Sequence, residues 1–588
     1  GELTDVALPD SLHAVVGARL DRLDEDHRAL VQDAAVLGQS FSVEGLTVLT
    51  GRSAEDLETD LRELSRRELF RFDSDPRSPE RGQYHFLQSV IREVAYGRIA
   101  KADRKDRHLK VAGFYEQESP VEAAAVIASH YMSAYDAGPD QELATRARQA
   151  LTNAAERALE LKSFAQSLAL IEHALQVPGT EAQQAALWEM APEAAAALFH
   201  HEEAVDYARK ALDWYVEHGE PGDVIRAAAV LGTALLDSDE PPEAIAAMET
   251  HFDADRAVEP GMTTLGAALA RAHMRASQHQ EAADVGLAVL EAAEISGDHE
   301  SAIDVLNTRG GALADLGRAY EGIALLREAL RLAEQYGLPY ATLRAVNNLL
   351  VSEAMNGMTG GGGRDLITRG YQLAQRVRHG GLLVRMINNL AALRFEDGDF
   401  EEALATVEEL DLGESVWASF LDVFRQQVHW VMTADPARLD EVRRANQPLL
   451  GHAEPQYHSG AVDTEASIAW VTRDWTKVLE LAPQVVPAQP HHQFRHLALG
   501  AALLLGDADA LRGAIDLIDK GIGRRFEVLR FAGETGLAVL EGDPEQAAAM
   551  FVDLIERIEA VESPRMAAEW RAVFGAVLPD RPEAAAAA

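Results

Sequence analysis

Three well-separated segments of this chain open a helix in the same way. In HQEAADVGLAVLEAAE, AYEGIALLREALRLAE and DFEEALATVEEL a small residue, Ala282, Gly322 or Ala403, begins an amphipathic run. The first two lie 40 residues apart and the last two 81, or two units of about 40. The same position recurs as Ala204, Ala244, Leu511 and Ala547. A partner helix precedes each run: LNTRGGALADLGRAYEGI carries Gly310 and Gly317, and INNLAALRFEDGDFEEAL carries Ala391 and Gly398, each pair seven residues apart. A helix pair repeated at a fixed period buries its apolar face only by stacking on the next pair, which predicts an α-solenoid. Small residues belong where two helices must cross closely.

These pairs resemble tetratricopeptide repeats, although the usual unit of about 34 residues is lengthened here. About ten of them, several degenerate, are expected over residues 140–575, followed by a low-complexity, disordered tail at 576–588. The run Gly360-Gly361-Gly362-Gly363 lacks the Lys-Ser/Thr of a phosphate loop and reads as a connection between helices, a candidate hinge.

Composition narrows the function. Lys and Arg number 54 against 95 Asp and Glu, and the formal charge of −41 repels phosphate backbones and anionic membranes, so nucleic acid and membrane are not expected partners. With 0 Cys there is no disulfide, thiol nucleophile or thiolate metal site, and a cytoplasmic location is the simplest expectation. No run approaches the roughly 20 apolar residues of a membrane span. The start at Gly1, without Met, reads as a fragment or a tag remnant.

The first hundred or so residues are different in kind. From Leu12 to Leu37, Val15, Val16, Leu20, Leu23, Leu30, Val31 and Val36 recur at helical spacing, with Asp24-Glu25-Asp26 as a cap between two helices. A third helix follows Gly51, capped by Ser53 and burying Leu57, Leu61 and Leu64. LFRFDSDPRSPERGQYHF then reads as strand, turn, strand, leading into a helix with Ile91, Val94, Ala95 and Ile99 inward. Helices, hairpin and closing helix describe a winged helix over residues 1–118, with 119–139 connecting it to the repeats. The predicted fold class is therefore mainly α: a small winged-helix domain, then a solenoid.

In order and spacing, LPDSLHAVVGARLDRLDEDHRALVQDAAVLGQSF (8–41), LRELSRRELF (61–70) and YHFLQSVIREVAYG (84–97) resemble the winged-helix segment of bacterial STAND-class signalling ATPases, of the actinobacterial adenylate/guanylate cyclase-associated type. With the repeats, the resemblance covers nearly the whole chain. It implies the sensor half of a switch: capture of a peptide, protein or small-molecule ligand in the repeats would release an upstream nucleotide-binding module, the chain's own partner, for exchange and assembly, with ligand-dependent oligomers in view. ATP/ADP and Mg²⁺ are expected only in that upstream module. The chain holds no G-x-x-x-x-G-K-[ST], G-x-S-x-G or cyclase motif, and is expected not to be an enzyme. Where the family commonly has a nucleotide-facing His, this sequence has Gln88. The other reading is a stand-alone scaffold that binds a protein or peptide.

The most site-like signal is a row of asparagines. Asn307, Asn347 and Asn388 recur at intervals of 40 and 41 in the first helix of successive repeats, with Asn348 and Asn389 adjacent. In a tetratricopeptide solenoid that helix lines the groove, and an amide offers donor and acceptor to the backbone of an extended peptide. Arg344 and Arg385, three residues earlier, would clamp a carboxylate or phosphate. The competing reading makes the asparagines interhelical ties and pairs the arginines with the chain's abundant acids. The basic stretch Arg98, Lys101, Arg104, Lys105, Arg107, His108 and Lys110 is similarly either a docking surface or a helix face paired with acids. His492 and His496 share a helical spacing, but no third ligand accompanies them or the pairs His200-His201 and His491-His492, and no metal site is read.

Overall fold

The computed structural model describes residues 10–75, 78, 81–355, 363–377, 380–408, 416–452, 455–484, 494–519, 524–542, 544–559 and 564–578. They fall into two compact units, Gly1–Leu198 and Phe199–Ala588.

The first unit begins with α1 (Asp10–Asp21), α2 (Glu25–Leu37), β1 (Ser40–Phe41), α3 (Val43–Thr50), α4 (Ala54–Arg66), β2 (Phe70–Phe72), β3 (Tyr84–Phe86) and α5 (Ser89–Gly97). The starts of α2, α3 and α4 have a local cause. The Asp24 carboxylate accepts the His27 N–H at 2.9 Å, and the Ser42 and Ser53 hydroxyls accept those of Gly45 and Asp56. The strands form one antiparallel sheet in the order β1-β3-β2, with Phe41 opposite Tyr84 and Arg71 opposite His85. Its inner face places Phe41, Phe70 and Phe86 edge to face, with ring centroids 4.9–5.8 Å apart, over Leu57, Leu61 and Leu64. Ile91, Ala95 and Ile99 are buried as the helical spacing predicts. Two expectations change. Val15 is 60% exposed beside a buried Val16, and α3 and β1 are additional to the elements that the spacing predicts. The eight residues of α3 are β-branched in part; its signals were the caps, Ser42 and a left-handed Gly51 at φ 69°.

Five further helices complete this unit: α6 (Lys101–Glu118), α7 (Ala124–Ala137), α8 (Gln141–Glu160), α9 (Phe164–Gln176) and α10 (Glu181–Ala197). The stretch 119–139, expected as a connection, is largely α7, packed between α6 and α8. His108 and His130, both buried, face each other through their Nδ1 atoms at 2.8 Å, and the Tyr96 hydroxyl meets His108 Nε2 at 2.9 Å. Two facing ring nitrogens can share only one proton. Burial, then the charges of His130, Arg92 and Arg104, push His108 down to about 3, and burial takes His130 to about 4.

The second unit runs through α11 (His201–His218), α12 (Pro221–Asp237), α13 (Pro241–Glu249), α14 (Met262–Arg275), α15 (His279–Ser296), α16 (His299–Asp315), α17 (Ala319–Gln335), α18 (Pro339–Met355), α19 (Gly363–Val377), α20 (Gly380–Asp397) and α21 (Phe400–Glu408), then continues helix after helix to Pro564–Val577. Leu578 is also buried, so packed structure extends beyond the expected boundary at 575. Within the glycine run, Gly363 opens α19, while Gly360 to Gly362 lie outside the described residues.

Two features mark the repeat. The small residues Ala204, Ala244, Ala282, Ala403 and Ala547 are fully buried, and at Gly322 the approach is closest: a Cβ there would stand 2.4 Å from the Gly310 carbonyl oxygen and 2.7 Å from the Ala314 nitrogen. The other feature is a left-handed residue closing the first helix of a pair, at Gly317 and Gly398 but also at Asp239, Ser277, Ala434 and Arg473. At Ser277 and Gly317 the next residue returns its N–H to a carbonyl five residues back, Gln278 to His273 and Arg318 to Leu313. The backbone motif persists where the glycine does not, which is why glycine spacing alone shows only part of the period.

Gly322→Ala is expected to force α16 and α17 apart and destabilise the second unit by roughly 1–3 kcal/mol, read as a lower urea midpoint. The histidine pair gives a separate expectation. Both groups have folded pKa values below the unfolded one, so their contribution is complete above about pH 6.5 and is lost as pH falls toward about 4. The melting temperature should drop across that window, less steeply in His130→Leu. Parallel curves would contradict it.

Candidate functional site

The first helices of neighbouring pairs pack on one another, α14 on α16, α16 on α18 and α18 on α20. This puts them on the inner side of the stack, and the asparagine row lies along the seam. Asn389 donates to Asn347 at 2.8 Å, Asn347 to Asn348 at 3.1 Å and Asn348 to Asn307 at 3.2 Å. One amide relay thus crosses three helices.

This geometry favours the tie over the ligand ladder at Asn307, which is 1% exposed. Its Oδ1 takes the Asn348 proton and its Nδ2 has no hydrogen-bond partner among the described residues. Asn347, Asn348, Asn388 and Asn389 remain half-buried on the inner side. Asn388 stands outside the relay.

The two predicted arginines belong to a larger group. Arg344 on α18 is ion-paired with Asp304 on α16, and its Nη2 reaches the Thr308 hydroxyl at 3.3 Å. Arg271 on α14 approaches the same carboxylate, Nε to Oδ2, at 3.6 Å. Burial, then the charges of Arg271 and Arg385, weigh against the Arg344 cation. Its side chain nevertheless keeps 26% exposure, so it lines a crowded inner surface with one edge in solvent. The period could have found Asp304, which lies 40 residues before Arg344 as Arg385 lies 41 after it. Arg271 falls outside that register and had no such signal.

The other candidates resolve locally. Gln88 is exposed at the start of α5 and makes no capping bond. In the basic stretch Arg98 pairs with Asp21, Lys105 with Asp140 and Arg107 with Asp33, while Arg104 donates to the Gly97 and Ile99 carbonyls. His496 bonds Glu569 at 2.6 Å; His491 and His492 lie outside the described residues. Among the described residues no group of three or more His, Asp or Glu could hold a metal ion, and no helix is long and apolar enough to cross a membrane. A cleft of about 570 Å³ beside α14, lined by His251, Arg256 and His273, was not foreseen.

No family model matches the chain, and no curated protein does. Solved structures do. A STAND protein with a tetratricopeptide repeat sensor from Pyrococcus horikoshii is 13% identical with a TM-score of 0.42, over 74% of this chain and 65% of that one. This chain therefore spans less than two thirds of that protein's length. A Rap protein complexed with competence and sporulation factor is 12% identical with a TM-score of 0.35, over 72% and 99% of the two chains. For the Cut9 and Hcn1 hetero-tetramer of APC/C the values are 12%, 0.39, 84% and 95%. The chain's own helix pairs, stacked first helix on first helix, define its class as a mainly α helical solenoid.

The relay can be tested by a double-mutant cycle. Asn348→Ala removes the donor to the Oδ1 of buried Asn307 and is expected to cost about 1–3 kcal/mol of stability. Asn307→Leu removes the polar group and its need together, so adding it to Asn348→Ala should recover much of that loss. Additive losses in urea unfolding would show that the two amides are not coupled.

Proposed function

We propose that the chain is the sensor half of a STAND-type signal-transduction ATPase: a winged helix over residues 1–118, then repeats that bind a peptide or protein ligand and control an upstream nucleotide-binding module. One observation carries this reading. A small α/β head with its own core, residues 10–97, passes directly into helical pairs, the order that the three N-terminal motifs imply. In this reading β2 and β3 serve as the wing, α5 as the closing helix, and Gln88, exposed at the start of α5, as the residue that faces the module. Arg344 and Arg385, with half-buried Asn347, Asn348, Asn388 and Asn389, supply the ligand groove, and Asn307 supports it from beneath.

The control runs through packing. A ligand spanning several first helices favours one spacing of the repeats over another, and its differential affinity is the free energy available to bias the head. The test is the complete reading frame, expressed as the full protein, as a version ending at residue 118, and as this chain alone. Removal of the repeats is expected to raise Mg²⁺-dependent ATP turnover, and this chain alone to show none. An upstream sequence without a phosphate loop would overturn the switch and leave the scaffold; turnover that copurifies with this chain would overturn both.

A further inference from the structure

α13 ends after 9 residues, whereas α11 and α15 each run for 18. Beyond its last turn the segment from Thr250 to Arg256 lies against α14 and α15, and the cleft of about 570 Å³ opens between them. The segment is fixed by its own contacts. The Met248 carbonyl takes the His251 and Phe252 N–H groups at 3.0 and 3.1 Å, and the Asp253 carboxylate takes that of Asp255 at 3.0 Å. The Phe252 ring sits on α14 at Gly266, where a Cβ would stand 2.5 Å from it. The floor of the cleft is apolar, with Leu269 buried and Phe252 and Val285 half-buried. Its rim is acidic: Glu249 and Asp253 are exposed, and neither forms an ion pair among the described residues. Arg256 lines the cleft too, but Glu259 already holds its guanidinium through bonds of 2.8 and 2.6 Å. His273 bonds Gln278 Oε1 through Nδ1 at 2.6 Å, so that nitrogen carries the proton and Nε2 of the neutral ring is an acceptor. His251, half-buried, has no side-chain hydrogen bond among the described residues, and a neutral imidazole always offers one acceptor nitrogen.

We infer that this cleft binds a small organic cation, a primary ammonium group carried on a compact apolar body. An ammonium has three donors and no acceptor, the complement of two carboxylates and two imidazole nitrogens. The apolar body covers Phe252, Leu269 and Val285 and takes their surface out of water. The formal charge of −41 draws cations toward the cleft and turns anions away. A bare metal ion is a poorer occupant, since among the described residues no three His, Asp or Glu are gathered closely enough to hold one. None of the lining residues belongs to the amide relay or to the arginine group, so the inference stands apart from the peptide-binding reading. A bound cation bridges the segment after α13 to α14 and α15, and by binding the folded state it stabilises the place where the repeat departs from its period.

The probes are phenethylamine, its neutral and anionic counterparts phenylethanol and phenylpropionate, and butanediamine, which keeps the ammonium without the ring. Each is titrated into the full chain at constant ionic strength, and the dissociation constant is read by ligand-observed NMR. Phenethylamine is expected to bind saturably and about tenfold or more tighter than each of the other three. The double variant Glu249→Gln with Asp253→Asn should weaken phenethylamine about tenfold and leave phenylethanol unchanged. A control with the same change of charge, Glu294→Gln with Glu300→Gln, alters exposed acids outside the cleft and should bind as the wild type does. Melting curves check that each variant is folded; Asp253 also caps a short helical turn, so if the double variant is not folded, Glu249→Gln alone decides, with a loss of about threefold or more. Phenylethanol or phenylpropionate bound as tightly as phenethylamine would overturn the cation preference, and butanediamine bound as tightly would reduce the site to an acidic surface. Equal weakening in the control variant, or no saturable binding of phenethylamine, would overturn the inference as well.

Discussion

Close backbone approach between paired helices is the constraint on which the repeat unit depends. Where α16 crosses α17, Gly310 and Gly322 bring main chain against main chain, and no side chain fits between them. Alanine serves at the equivalent crossings because it is small enough to be fully buried without holding the helices apart. Once the crossing is fixed, the left-handed turn sets where the next helix begins. Stacking of first helices then follows from the need to bury the remaining apolar stripe.

That stacking creates a seam with a chemical character of its own. Apolar contacts dominate between the helices of a pair, as around Leu306, Leu326, Val346 and Ile367. On the inner side the first helices instead meet through amides and guanidinium groups. A relay such as Asn389, Asn347, Asn348 and Asn307 demands one register, since a slip would strand a buried amide. The same seam holds the arginines close to solvent. The amide ties and the guanidinium groups are therefore neighbours on one surface, and under the proposed function a ligand there would act on the joints between repeats.

The N-terminal unit joins its α/β head to helical pairs through polar contacts. Tyr96 at the end of α5, His108 on α6 and His130 on α7 form one buried line, while Arg107 on α6 pairs with Asp33 on α2. What reads in sequence as an isolated basic stretch is mostly this set of joints. Arg98, Lys105 and Arg107 are paired with carboxylates and Arg104 with carbonyls, whereas Lys101 and Lys110 lie exposed, where solvent screens them.

The sequence by itself determined the period, the small residues at the crossings, and the caps at Asp24 and Ser53, because each is a local or periodic property of the chain. It also showed which residues, Asn307, Asn347, Asn348, Asn388 and Asn389, share one kind of helix. Only the tertiary structure decided which of them is buried: Asn307 and Asn347 occupy matching sequence positions and each accepts an amide proton from the next first helix, yet Asn307 is buried and Asn347 half-buried. It alone brought Arg271 to Asp304 and Arg344, a meeting of side chains from different repeats that breaks the period. Periodicity specifies how each pair is built; the charge that gathers on the inner side depends on how successive pairs are offset, and that offset is set by packing.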